Sequence, residues 1–350
     1  MKRMRRSTPE GNLSYVVSDL FGEKDRQILR LALSSGISQG DVDSAIEGWN
    51  TETAPIQTVM LLAFLTKNHP ECDFPEELLS SLQVVLKRCR GQYLKVVSHF
   101  SKAARSLHDA GVPFAVIKGG AMKVLRPDFP RWMSDIDILV PETRFDEAVK
   151  IVAALGYDSV IWPHAADFKI PGNKEGVIDI HRYIKMKTGS ERAVNEGVFQ
   201  RAREVPMYST EGLLPCNEDL VFIILVNLYY NIITKTSANS SVCALFDIQY
   251  LSRSKEGFDW KIVIDDAVRT GSVEQLYLLG KIADRMVPGI FPERFLEDES
   301  DKEKAWKMCR WLVRNRKEIV PLRNRIRECP VGWKYLIMKI KLFFLKRIPV

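Results

Sequence analysis

The chain has 350 residues, 46% hydrophobic and 27% charged, which is enough apolar material for a full core and too much for a disordered or fibrous protein. Its net charge of +7 is unevenly spread: residues 301–350 carry 15 Lys and Arg against 4 Asp and Glu, and the rest of the chain holds 36 bases against 40 acids. That division argues against a nucleic-acid binder along the whole surface and confines the basic character to the C-terminal end.

The first residues are basic (Lys2, Arg3, Arg5, Arg6) but lead into the polar stretch STPEGNLS, so no secretory leader is expected. Residues 14–110 then read as helices. DRQILRLALSSG, PIQTVMLLAFLTKN and EELLSSLQVVLKRCRGQYLKVVSHFSKAARSLHDAG all space apolar residues at three and four, with Gly or Pro at the breaks. Six cysteines (Cys72, Cys89, Cys216, Cys243, Cys309, Cys329) show no CxxC pair and no His grouping, which argues against a disulfide framework or zinc site and favours a reducing cytoplasm.

The pattern changes at VPFAVIKGG, a strand bounded by Pro113 and a glycine pair, followed by a short helix AMKVL and the loop RPDFPRWMS. DIDILV is a second strand, because Ile136, Ile138 and Val140 alternate with Asp135, Asp137 and Leu139. ETRFDEAVKIVAALG reads as an amphipathic helix stopped at Gly156, and DFKI with GVIDIHRYI reads as a hairpin. From Asn217 onward the periodicity is helical again. The apolar run at 220–234 is shorter than the roughly 20 residues of a membrane span and carries Asn227 and Asn231, so a buried helix is expected. The fold class expected is α+β: a helical N-terminal region (1–92), a small mixed-sheet core (93–205), and a helical C-terminal region with a basic amphipathic tail (206–350).

In a strand, residues two apart lie about 6.6 Å apart on one face. Asp135 and Asp137 therefore project together, repel each other, and need cations. Mg²⁺ is the natural partner, taking carboxylate oxygens together with substrate phosphates. A second ion about 3.5–4 Å away would clamp both oxygens of a phosphoryl displacement if a third acid came from a neighbouring strand. Asp179, between Ile178 and Ile180, is the candidate. Chance alone gives about five acid-x-acid pairs in a chain with 44 acids, so the combination with the glycine turn carries the reading, and the spacing alone does not. Gly119 and Gly120 let backbone approach a phosphate, with a positive φ expected at Gly120, and the helix start attracts anions. Lys118 offers the phosphates a point charge, and Arg131 a bidentate contact. His181 shares a face with Asp179 and either orients it, touches substrate, or is structural.

IKGGAMKV, RWMSDIDILV and VIDIHRY together resemble the nucleotidyltransferase superfamily signature, and more narrowly an uncharacterised bacterial nucleotidyltransferase family with a Lys-Gly start, an Arg four residues before the acid pair, and an Asp-x-His third strand. The resemblance covers about residues 90–285. It departs from the superfamily in the 14 residues (121–134) between Gly120 and Asp135, a longer spacing than usual. The resemblance implies a minimal nucleotidyltransferase fold, two Mg²⁺ ions on Asp135, Asp137 and Asp179, and transfer of a nucleoside monophosphate from an NTP, with ATP favoured, to an unidentified acceptor. It further implies nucleotide contacts from Lys118, Gly119, Gly120, Arg131 and Ser134. The alternative is a non-catalytic module of the same fold that docks on a membrane or macromolecular partner.

The tail KYLIMKIKLFFLKRIPV (334–350) combines five bases with Leu336, Ile340 and Phe343. Such a segment either packs its apolar side on the domain or lies on an anionic membrane surface, with nucleic acid a less favoured partner. The protein is expected in the cytoplasm, with peripheral membrane contact through this tail.

Overall fold

The computed structural model describes residues 13, 14, 17, 18, 21–34, 36–172, 176–184, 191–234, 238–254 and 257–292. The segment DKEKAWKMCRWLVRN (301–315), which continues the helical periodicity of the C-terminal region, and the basic tail at 334–350 lie outside the described residues.

Among the described residues, four helices precede the sheet: α1 (Glu23–Leu33), α2 (Gln39–Ile46), α3 (Ile56–Asn68) and α4 (Glu76–Asp109). Apolar spacing predicts three of them. The fourth, α2, is short and polar but is opened by a reciprocal cap, in which Ser38 accepts from the Asp41 amide and Asp41 accepts from the Ser38 amide. The 34-residue α4 runs unbroken through residue 92 and ends at Gly111, which takes a φ of 63°.

The core is a seven-stranded mixed sheet in the order β3-β4-β5-β2-β1-β7-β6. Its strands are β1 (Ala115–Val116), β2 (Ile136–Leu139), β3 (Asp158–Ile161), β4 (Ala165–Lys169), β5 (Gly176–His181), β6 (Arg203–Met207) and β7 (Thr210–Leu214). Helices α5 (Lys118–Leu125), α6 (Phe145–Ala153) and α7 (Glu191–Arg201) connect them. The expected β4–β5 hairpin is present and antiparallel. β2 and β5 run parallel, joined through α6 and the β3–β4 arm. The chain then returns through the β6–β7 hairpin, which pairs β7 parallel to β1 and carries the sheet past residue 205.

Four further helices complete the described chain: α8 (Asn217–Thr234), α9 (Ala238–Ser252), α10 (Trp260–Arg269) and α11 (Val273–Met286). The apolar run of α8 is buried, with Leu220, Val221, Leu225 and Ile232 fully enclosed, as its composition requires. No helix among the described residues is long and apolar enough to cross a membrane. The two helical regions, far apart in sequence, pack on each other: α3 and α1 lie against α9, and Arg30 Nε donates to the Met286 carbonyl at 2.8 Å. One continuous apolar core runs from Leu13 to Phe291. The long α4 packs on β2, β5 and β7, and the C-terminal α8 reaches the sheet through α5.

Candidate functional site

Register builds the site. β2 and β5 pair in parallel with Asp137 opposite Asp179, and β4 pairs antiparallel with Asp167 opposite the same Asp179. Residues directly paired across strands share a face, so three carboxylates form a row across three strands. On the reverse face Ile136, Ile138, Ile178 and Ile180 are at most 1% exposed, which fixes the direction of the row. Asp135, just before β2, joins them. Burial and the charges of Asp137 and Asp179 push its pKa up to about 7. His181, two residues beyond Asp179, brings Nε2 to 2.9 Å from Asp137 Oδ1 and 3.1 Å from Asp179 Oδ2. The three acids and the histidine singled out in the sequence therefore converge.

Lys118 enters the same cluster. Its Nζ donates to Asp137 Oδ1 at 2.6 Å and lies 3.1 Å from His181 Nε2. The left-handed backbone expected at Gly120 falls on Lys118 instead, with φ of 51°, a conformation that costs a non-glycine residue about 1–3 kcal/mol. Gly120 has another reason to be glycine: a Cβ there would come 2.7 Å from Val116 Cγ1 and 3.1 Å from Ile136 Cγ2. It is buried and lets α5 lie against β1 and β2. Gly119 makes room for Arg131, whose Nε would sit 3.3 Å from an added Cβ.

Arg131 does not present an open fork. Both its Nη atoms donate to the Asp247 carboxylate of α9 at 2.8 Å, and the two side chains are 12% and 2% exposed. Burial opposes the charge on Arg131, but Asp247 more than offsets it and raises the guanidinium pKa. Arg131 therefore ties the loop before β2 to the C-terminal helices. Ser134 Oγ donates to Asp135 Oδ1 at 3.1 Å.

Opposed influences set the protonation of the cluster. Burial pushes Asp137 up, yet the Lys118 charge and His181 outweigh it and hold the carboxyl below the usual range. Burial and Lys118 push His181 down, and Asp179 with the Asp137 hydrogen bond overcome them to hold it at about 9. Burial and the Asp179 charge raise Asp167 to about 6, against a 2.9 Å hydrogen bond from Trp162 Nε1. Sequence reasoning passed over Asp167, reading DFKI only as a hairpin arm. The signal was present, an acid alternating with Phe168 in an apolar strand. Asp247 had no local signal, because its partner lies far back in the chain.

Asp137, Asp179 and His181 each offer a ligand atom within 4.8 Å of the others. Asp179 Oδ1 is buried without a hydrogen-bond partner. A row rich in carboxylate oxygens with one coordination site unused fits a hard divalent cation. Beside the row opens a cleft of about 340 Å³, within the range of small-ligand sites. Lys118, Asp135 and Asp137 border it on the sheet side, and Gln57 of α3, Asn227 of α8 and Asp247 of α9 border it on the helical side. Gln57 Oε1 is also buried without a partner.

A family model described as "Uncharacterised nucleotidyltransferase" matches residues 56–288. The chain belongs to this family. It is accordingly a transferase of the nucleotidyltransferase class, and the family unit begins at α3, upstream of the residue 90 expected from the motifs. Gln57, in what reads as a separate helical lead-in, falls within that span and borders the cleft. A solution structure of the antibiotic-resistance factor ANT(2'')-Ia is similar over 52% of this chain and 93% of its own, at 14% identity and a TM-score of 0.37, a likeness from which nothing further follows. A comparison with curated proteins finds no match.

Proposed function

We propose that this nucleotidyltransferase moves a nucleoside monophosphate from an NTP, ATP favoured, to an acceptor bound in the cleft, in an Mg²⁺-dependent reaction. The observation that carries the reading is the Asp137–Asp179 register pair with Asp135 beside it at the mouth of the cleft. Asp135, Asp137 and Asp179 would hold two Mg²⁺ ions, which supply positive charge to the phosphate oxygens. Lys118 and the amides at the start of α5, with Gly119 closest to the cleft, seat the triphosphate. Asp179 takes the proton as the acceptor oxygen bonds to the α-phosphorus and the bond to the pyrophosphate oxygen breaks. Arg131 keeps the loop carrying Ser134 and Asp135 in place through Asp247.

The test is incubation of the full chain with Mg²⁺ and α-labelled NTPs, with mass spectrometry of whatever becomes modified. Label should reach an acceptor and ATP should serve best. Nucleotide binding without any transfer would favour the non-catalytic alternative, which the convergence of all three acids speaks against.

The setting we propose is the reducing cytoplasm, where the free thiols of Cys72, Cys89, Cys216 and Cys243 are stable. For the tail we propose adsorption to anionic membranes: each of its five bases contributes about 1 kcal/mol at such a surface. Deleting residues 334–350 should reduce adsorption to anionic vesicles in low salt and spare nucleotide binding, and high salt should erase the difference. Equal adsorption by the intact and truncated chains would exclude the membrane role.

A further inference from the structure

The acid row already contains a cation. Lys118 Nζ lies 2.6 Å from Asp137 Oδ1 and 3.1 Å from His181 Nε2. That same His181 nitrogen lies 2.9 Å from Asp137 Oδ1 and 3.1 Å from Asp179 Oδ2. The ammonium therefore sits against Asp137 and His181, two of the three groups whose ligand atoms converge within 4.8 Å. A divalent ion bound by Asp137 and Asp179 would compete for the oxygen that Lys118 holds, and two positive centres that close repel strongly. One of them must leave.

The side chain is built to do so. Its backbone is fixed by the left-handed turn into α5, whereas the four-carbon stem is flexible, and the residue also borders the cleft. In the absence of metal the ammonium gives the half-buried carboxylates the positive charge that burial demands. Once a metal supplies that charge, the ammonium has no reason to stay.

Deepening the metal-dependent reading above, on which it rests, we propose that Lys118 is the resident counter-ion of the acid row, that a divalent cation enters by displacing it, and that the released ammonium turns into the cleft to meet the triphosphate. Metal loading and nucleotide seating are then coupled through one side chain. Nucleotide should raise metal affinity by giving the displaced ammonium a new partner, and metal should raise nucleotide affinity by the same factor.

Calorimetry with Mn²⁺ at fixed pH tests this on the full chain, comparing wild type, Lys118→Met, and Lys118→Gly, the last chosen because glycine accepts the left-handed φ without strain. Both variants should bind Mn²⁺ at least about tenfold more tightly than wild type, as expected when a competing charge is removed. Both should bind a non-hydrolysable NTP analogue more weakly. The analogue should raise Mn²⁺ affinity in wild type and not in the variants. Should Lys118→Met fold poorly, Lys118→Gly still reads the effect, through a Mn²⁺-induced rise in Tm larger than that of wild type. Equal or weaker Mn²⁺ binding by the variants, with binding abolished in Asp179→Asn, would overturn the counter-ion role and leave the metal site standing. Failure of wild type and variants alike to bind Mn²⁺ would overturn the metal reading and this inference together.

Discussion

Among the described residues, two places bury clusters of acid, and they are built differently. Between α7, α8 and α10, Asp219 and Asp266 are at most 2% exposed. Arg201 donates to both and Arg269 donates to Asp266, two guanidinium groups for two carboxylates. On the sheet, Asp135, Asp137, Asp167 and Asp179 share Lys118 and His181, and an oxygen of Asp179 stays unpartnered. The helical cluster is matched in charge and closed by hydrogen bonds. The sheet cluster has acid to spare. Matched burial belongs to structure, whereas unmatched burial raises the energy of the resting protein and has to be offset by something that binds.

The same substitution made in both clusters should therefore give opposite results. Asp179→Asn is expected to reduce nucleotidyl transfer by about a thousandfold or more, yet to leave the stability of the metal-free protein within about 1 kcal/mol of wild type, because an acid is removed from a surplus. Asp266→Asn should leave transfer nearly intact but destabilise by about 2–3 kcal/mol, since Arg201 and Arg269 lose a buried partner. Urea unfolding of both variants decides the matter: if Asp179→Asn unfolds as readily as Asp266→Asn, the two clusters are energetically alike and the contrast fails.

A third variant sharpens the contrast from the loop between the two regions. Arg131→Lys keeps the charge but loses the fork on Asp247, so it should lower stability by about 1–2 kcal/mol and slow kcat more than it raises KM for the nucleotide. A KM effect with kcat unchanged would mean that Arg131 touches the phosphates after all.

The smallest effect per pH unit is a slope. Asp135 rises from 3.8 to about 7 on folding, so the unfolded chain releases a proton that the folded chain keeps, and stability falls as pH rises from about 4 to about 7. His181 rises from 6.5 to about 9, and its stabilising contribution, complete below 6.5, is lost between 6.5 and 9. Both changes run the same way. The urea midpoint of the metal-free protein should fall steadily from pH 5 to pH 9, and Asp135→Asn should make the lower half of that decline shallower, leaving the part that Asp167, raised to about 6, contributes.

Much of the site is legible in the sequence because strand periodicity is local. Asp137 and Asp179 each stand between isoleucines, and two strands with the same alternation can present their acids together only on one face. The long helices are equally plain, since α4 and α10 keep their apolar spacing throughout. The β6–β7 hairpin is missed because Pro206 weakens the strand signal and the turn at Tyr208, with φ of 57°, lacks the usual glycine or asparagine. Arg131 is read as a bidentate contact for the phosphates, but its fork is taken by Asp247, delivered by a helix more than a hundred residues later. Nothing in RPDFPRWMS announces that partner. Gly120 is likewise noticed for the right residue type and assigned the wrong reason, because van der Waals contact between α5 and Val116 is a property of the assembled layers.

β1 is two residues long, yet it joins the halves of the sheet: Ala115 pairs with Leu139 on one side and with Leu213 on the other. The second pairing spans about a hundred residues of chain, a separation that slows folding because loop closure precedes any gain from contact. During synthesis β1, β2, β4 and β5 all emerge before β7, so the carboxylates can be set side by side while β1 waits with one edge unpaired. That order of synthesis allows an interval with the acids assembled and the sheet still open, in which a bound cation would favour the strands that carry them.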